Sequence, residues 1–191
     1  NGKAVIVNAD GTVSVVAETS RSQALGSEAV FESASTYYTS STFDSNSNRV
    51  VTIYNDFGNS DYLVCVVGTV SGTSISYGTP VIISSTATIN NTIVFDSSNN
   101  KVVAVYRDKG PAPDRGTAIV GTVDPSDNSI SFGTAVTFGS AISAYPVATF
   151  DSNANKVVIL FADGGNSYYG SGVVGTVSGT GISFGSISVF L

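Results

Sequence analysis

The chain has 191 residues, a formal charge of -6 at pH 7, one cysteine, and no histidine, methionine or tryptophan. That length suits a single domain, and the acidic balance speaks against partners that need a cationic footprint, nucleic acid and anionic membrane surfaces among them. A lone cysteine excludes an intrachain disulfide, and without histidine or paired cysteines the usual zinc and haem ligand sets cannot be assembled.

Hydrophobic residues make up 42% of the chain, enough to argue against intrinsic disorder. Gly, Ser, Thr, Asn and Val dominate while Leu and Lys are scarce, a mixture that favours strands and turns over helices. No stretch approaches the roughly 18 apolar residues of a membrane span, and none reads as a signal peptide. The expectation is an all-β chain without membrane insertion.

The first elements are Ala4–Val7 and Thr12–Val16, flanking Asn8-Ala9-Asp10-Gly11. Asp-Gly between two apolar runs predicts a β-hairpin. Ser20–Ala29 is the least strand-like segment, but it is short and contains Gly26, so no helix is expected there. Gly26–Phe31 matches two later tails, Gly133–Phe138 and Gly185–Phe190, and marks a partial repeat.

Three complete repeats follow. Phe43-Asp44-Ser45-Asn46-Ser47-Asn48-Arg49-Val50-Val51 returns as Phe95–Val103 and again as Phe150–Val158. From Phe43 to Phe95 is 52 residues, and from Phe95 to Phe150 is 55. A period of this size signals a propeller, a solenoid or a related array.

Each repeat holds four apolar stretches. The first ends in Phe-Asp (Ser40–Phe43, Thr92–Phe95, Val147–Phe150) and meets an Asn/Ser cluster that reads as a hairpin loop. The second (Arg49–Tyr54, Lys101–Tyr106, Lys156–Phe161) is short and β-branched, hence a largely buried strand. It stops at Asp56-Phe57-Gly58, Asp108-Lys109-Gly110 and Asp163-Gly164-Gly165. The third (Tyr62–Val70, Thr117–Val123, Gly172–Val177) carries Val-Gly-Thr-Val, whose glycine predicts a bulge or a close backbone approach. Cys65, Ala118 and Gly172 precede that phrase, and their small size suggests crowding near a shared axis. Cys65 itself reads as a small buried hydrophobe, with no histidine to activate it. The fourth stretch opens on Ile75–Gly78, Ile130–Gly133 and Ile182–Gly185, where apolar and polar residues alternate, and runs into an apolar tail such as Val81-Ile82-Ile83.

The organisation expected is one repeat domain over 1–191: an N-terminal hairpin and partial repeat (1–35), then repeats at 36–87, 88–140 and 141–191. The expected fold is a small β-propeller of antiparallel four-stranded repeats, with the N-terminal strands completing the ring. The alternative is an open stack of sheets that closes only on oligomerisation.

These phrases resemble a repeat common in virion structural proteins of tailed bacteriophages, particularly marine ones. The matching signature lies in Phe150–Val158, Phe161–Ser167, Gly116–Val123 and Ser178–Ser186, and the resemblance covers residues 26–191. Asn1–Val16 is similar to the opening hairpins of such proteins. The resemblance implies a non-enzymatic particle component at the virion surface, extracellular, acting in decoration, tail-fibre structure or adhesion. Its partners would be other virion proteins or further copies of itself, and no cofactor comes with it. The second repeat departs from the pattern, since Pro111-Ala112-Pro113-Asp114-Arg115 replaces the short Gly-Asn-Ser loop.

Three sets of residues could carry chemistry. Asp44, Asp96 and Asp151 begin loops in which Asp44/Asn46/Asn48 and Asp151/Asn153/Asn155 alternate as calcium ligands do. The acidic twelfth position is missing, however, with Asn55, Arg107 and Ala162 there instead, so turn formation is the expected role and no metal site is assigned. Asp56, Asp108 and Asp163 could form a rim of carboxylates. Equivalent repeat positions give them similar environments, which argues against the distinct acid and base that glycoside hydrolysis requires. Tyr37, Tyr38, Tyr62, Tyr145, Tyr168 and Tyr169 sit at or near strand ends, where tyrosine can stack on a sugar while its hydroxyl bonds polar groups. They make a lectin-like module that binds host surface glycans the second functional expectation.

Overall fold

The computed structural model describes residues 4–15 and 25–190. It is all-β, with 62% strand, and the helical turns among the described residues are two 3-10 segments, Phe57–Asn59 and Gly164–Asn166. No helix among these residues is long and apolar enough to cross a membrane. The N-terminal hairpin forms as expected: β1 (Val5–Val7) pairs antiparallel with β2 (Val13–Val15), and Gly11 supplies φ +82° at the turn. Val16 and the first half of Ser20–Ala29 lie outside the described residues.

The three repeats become three antiparallel meanders. The first is β3 (Thr36–Asp44), β4 (Arg49–Asp56), β5 (Tyr62–Ser71) and β6 (Ser74–Tyr77). A long strand, β7 (Val81–Asp96), links it to the second: Val81, Ile82, Ser84 and Ala87 pair with β5, while Thr88–Asp96 pairs with β8 (Lys101–Asp108). The second meander continues with β9 (Arg115–Asp124), β10 (Ser129–Phe132) and β11 (Val136–Thr137), so one nine-stranded sheet spans two repeats. The third is a separate five-stranded sheet of β12 (Ser143–Asp151), β13 (Lys156–Asp163), β14 (Tyr169–Ser178), β15 (Gly181–Phe184) and β16 (Ser188–Val189).

The fourth stretch of each repeat is broken at its glycine, whose N–H still reaches the third strand: Gly78 to the Val67 carbonyl at 2.8 Å, Gly133 to Val120 at 2.9 Å, Gly185 to Val174 at 3.0 Å. Beyond the break the tail rejoins the same strand, Val136 opposite Ala118 and Ser188 opposite Gly172. The glycine of Val-Gly-Thr-Val makes no bulge, because pairing stays in register through Gly68, Gly121 and Gly175. The close approach there comes from side chains instead. A β-carbon on Gly121 would lie 2.8 Å from the Phe132 ring, and one on Gly175 would lie 3.0 Å from the Phe184 ring.

The second meander is buried on both faces. Its front face (Val102, Ala104, Tyr106, Ile119) packs on Val51, Ile53, Leu63, Cys65 and Val67 of the first. Its back face (Val103, Val105, Ala118, Val120) packs on Val157, Ile159, Phe161 and Val173 of the third. This explains the unbroken apolar run Val102–Tyr106, since a strand covered on both sides has no solvent side to mark with polar residues. Cys65 and Ala118 are small residues buried at these sheet-to-sheet contacts. On the third meander the front face is buried and the back face is open, with Leu160 41% exposed. The described residues do not close into a ring.

One backbone contact recurs between neighbours. A β-carbon on Gly78 would lie 2.6 Å from the Asn128 carbonyl oxygen of the next meander's last loop. Gly133 meets Thr180 in the same way, and Gly26 meets Thr73, so residues 25–31 take the place of a preceding repeat's tail. Phe31 confirms the equivalence. Its ring lies 5.0 Å from Tyr54 and 5.7 Å from Tyr77, as Phe138 lies 5.2 Å from Phe161 and 5.6 Å from Phe184. Polar links join the first two meanders. Arg49 donates to Asn128 Oδ1 and to the Pro125 carbonyl, and Asn55 Nδ2 donates to the Thr88 carbonyl at 2.8 Å.

These contacts separate two chemically identical substitutions. Gly133→Ala places a methyl group against fixed backbone and should destabilise the fold by about 1–3 kcal/mol. Gly185→Ala, whose nearest non-neighbouring atom is Val174 O at 3.8 Å, should change it by less than about 0.5 kcal/mol. Urea unfolding of both variants checks the contrast; equal effects would contradict the packing described.

Candidate functional site

The repeated acids are engaged by their own turns. Asp44 Oδ1 accepts the N–H groups of Asn46 (2.9 Å) and Ser47 (3.1 Å). Asp96 Oδ1 accepts those of Ser98 (2.9 Å) and Asn99 (3.1 Å), and its other oxygen takes the Asn99 amide. Asp151 Oδ1 does the same with Asn153 and Ala154. Each loop closes on an asparagine at positive φ: Asn48 at 57°, Asn100 at 53° and Asn155 at 56°. The Asp/Asn alternation that looks like a ligand set is therefore turn chemistry: the carboxylate organises the loop, and the last asparagine tolerates the left-handed conformation. Among the described residues no three acidic or cysteine side chains gather as a cation site.

Asp56, Asp108 and Asp163 end β4, β8 and β13, and each meets a local turn rather than the other two. Asp108 Oδ1 accepts from Gly110 N (2.8 Å) and Thr86 Oγ1 (2.7 Å). Asp163 Oδ1 accepts from Gly165 N at 2.9 Å, at the start of a 3-10 turn. Asp56 precedes the matching turn of the first repeat, where its Oδ1 is buried without a hydrogen-bond partner.

The six tyrosines divide. Tyr38 (φ 49°) and Tyr145 (φ 52°) are each the third residue of their strands, β3 and β12, near the strand ends as expected and at register shifts. Asn90 (φ 52°) occupies the matching place in β7. These three β-bulges converge, and Tyr38, Asn90, Asn91, Tyr145 and Pro146 line one shallow groove. Positive φ at a bulky residue carries strain, which the surrounding sheet must hold in place. Tyr145 also borders a second groove with Tyr168, Val147, Leu160 and Phe190. The other three stand apart. Tyr37 packs edge-on against Phe57 at 5.6 Å, and Tyr62 and Tyr169 begin β5 and β14 opposite Asp56 and Asp163.

Sequence reasoning missed Asn90 and Asn91, and it missed Leu160, Val174 and Phe190 on the open face. A signal for the bulge was available: Tyr38, Asn90 and Tyr145 stand at one place in the repeat, each five residues before the Phe of the Phe-Asp phrase. It is faint, because the three side chains differ.

The buried groups show no sign of activation. Burial pushes the Cys65 thiol up to about 12, away from thiolate chemistry at neutral pH. Burial also raises the Tyr54 and Tyr106 phenols. Glu32, by contrast, is held below the usual carboxylate range, mainly by the Ala34 N–H donating to it at 2.9 Å. No protein-family profile, characterised protein or solved structure matches this chain.

Two outcomes follow from this chemistry. Asp96→Ala removes the buried acceptor for two N–H groups of an exposed turn and should cost about 1 kcal/mol, while calcium or a chelator leaves the melting temperature of the unsubstituted protein unchanged. A calcium-dependent rise in melting temperature would contradict the turn assignment. Cys65 should resist a disulfide reagent at pH 8 and react at once in denaturant. Its thiol stays neutral in the fold to about 12, but near 9.0 when unfolded it ionises, so this group subtracts stability as pH rises past that lower value.

Proposed function

We propose that this chain is a non-enzymatic structural component of a tailed-phage particle, a decoration or tail-fibre module at the virion surface that works through protein–protein contacts. In this reading its repeats are blades of a small β-propeller. The observation that carries the reading is how the repeated residues are used. The three Phe-Asp turns, the tail glycines and the alternating strand faces all serve to set one sheet against the next, and the repeated carboxylates are occupied by backbone N–H groups. The motif thus multiplies a contact surface. The resemblance of residues 26–191 to virion repeats supplies the setting. The propeller is favoured over a linear array by the bulges of β3, β7 and β12, which gather on one groove as the innermost strands of radial blades would.

One observation favours a second reading, a lectin-like module for host surface glycans. Tyr38 and Tyr145 are strained, exposed and held on the same groove, with asparagine amides between them. Aromatic faces with amides nearby suit a sugar ring and its hydroxyls.

Labelling the protein on assembled particles and locating it by electron microscopy tests the first reading; a protein found in infected cells but never on the particle would overturn it. A glycan array separates the two. Binding that Tyr145→Ala abolishes without loss of fold would favour the lectin, and a blank array would leave the contact-making role standing alone.

A further inference from the structure

We propose that the back face of the third meander docks a second copy of this chain, head to tail. The proposal rests on the reading of this protein as a contact-making module, and it names the partner.

Three features define a filled sheet-to-sheet contact inside the chain, and all three lie vacant on this one face. The first is the apolar strand centre. Leu160 and Val174 stand where Ile53 and Val67 stand in the first meander, and Val105 and Val120 in the second. Those four are at most 1% exposed, while Leu160 and Val174 are 41% and 45% exposed. The second is the tail aromatic. Phe138 covers Gly116 and is 7% exposed because the next meander's Phe161 and Phe184 close over it. Phe190 covers Gly170 in the same manner and is 54% exposed. The third is the tail glycine. Gly26, Gly78 and Gly133 each abut the backbone of a following loop, and Gly185 abuts none among the described residues.

A surface with this shape receives one kind of partner within the chain, the front face of another repeat. Docking a second copy continues that interface, and burial of the exposed apolar side chains drives it. The front face available on the second copy is that of its first meander. There Gly26 and Phe31 already make the contacts that Gly185 and Phe190 would make, against Thr73, Tyr54 and Tyr77. Residues 25–30 lie on that face without strand pairing, however, and are mostly exposed, with Val30 at 76%. The Phe190 tail is anchored through β16 to β14. Phe190 of one copy therefore takes the place of Phe31 in the next. The contact is heterologous, so its rotation decides whether copies close into a ring or extend as a filament.

Sedimentation of the full chain over a concentration series tests this. The expected result is a mass that rises above the 19.5 kDa of one chain. Leu160→Glu, which would bury a charge, should weaken association by about 100-fold or more. Gly185→Val should do the same, and the open space around that residue keeps it readable if Leu160→Glu fails to fold. A Thr73→Cys/Gly185→Cys pair should form disulfide-linked multimers on a non-reducing gel. A single-chain mass at every concentration would overturn the proposal, as would association that survives both face variants. So would a 73–185 disulfide confined to one chain, the signature of ring closure within a single copy. A protein that sits on the particle yet stays a single chain at every concentration would sink this inference alone, and one that self-associates yet is absent from the particle would sink only the particle reading.

Discussion

The contact on which the rest depends is that between the back of one meander and the front of the next. A four-stranded sheet with valine and isoleucine on both sides loses stability for each side left in water, and no α-helix is present among the described residues to cover one. The repeat solves this with a copy of itself. Most of its residues then make sense as instruments of stacking. Valine alternates its direction along Lys101–Asp108, glycine admits a ring at Gly121 and a neighbouring loop at Gly133, and aspartate tightens the turns so that successive sheets are alike.

Much of this was legible in the residues. The Phe-Asp phrase located the hairpins, and the β-branched runs located the second strand of each repeat to within two residues, while the first strands begin four or more residues earlier than read. Asp-Gly located the opening hairpin. Three things were not legible. The run from Val81 to Asp96 reads as a tail and a new strand, but the chain passes from one to the other unbroken, because nothing at Thr86–Thr88 forces a turn. The glycine of Val-Gly-Thr-Val reads as a bulge, yet Phe132 and Phe184 fill the space above it and the ladder stays in register. The bulges at Tyr38, Asn90 and Tyr145 left almost no trace, because a left-handed residue inside a strand is imposed by the sheet and not by its own preference.

The candidate sites fared unevenly for a physical reason. Acids that recur at fixed places in a repeat must satisfy the same local backbone each time, so they settle into turns. Tyr38 and Tyr145 share one place in the repeat and Tyr62 and Tyr169 another, but the second repeat carries Asn90 and Arg115 there. Tyr38 and Tyr145 meet because β3 and β12 both pack against β7, an effect of tertiary geometry that spacing along the chain cannot reveal. Tyr37 and Tyr38 are adjacent in sequence and face different neighbours, since successive side chains of a strand point to opposite sides.

The long strand β7 has a mechanical consequence. Because it is hydrogen-bonded to β5 through its first half and to β8 through its second, it rivets two repeats into one body. The third repeat is joined by the chain between β11 and β12 and by side-chain packing, with no strand shared across the gap. Under tension or thermal fluctuation the seam between Phe138 and Phe161 is accordingly the first to part, and the riveted pair is the last to lose its protected amides.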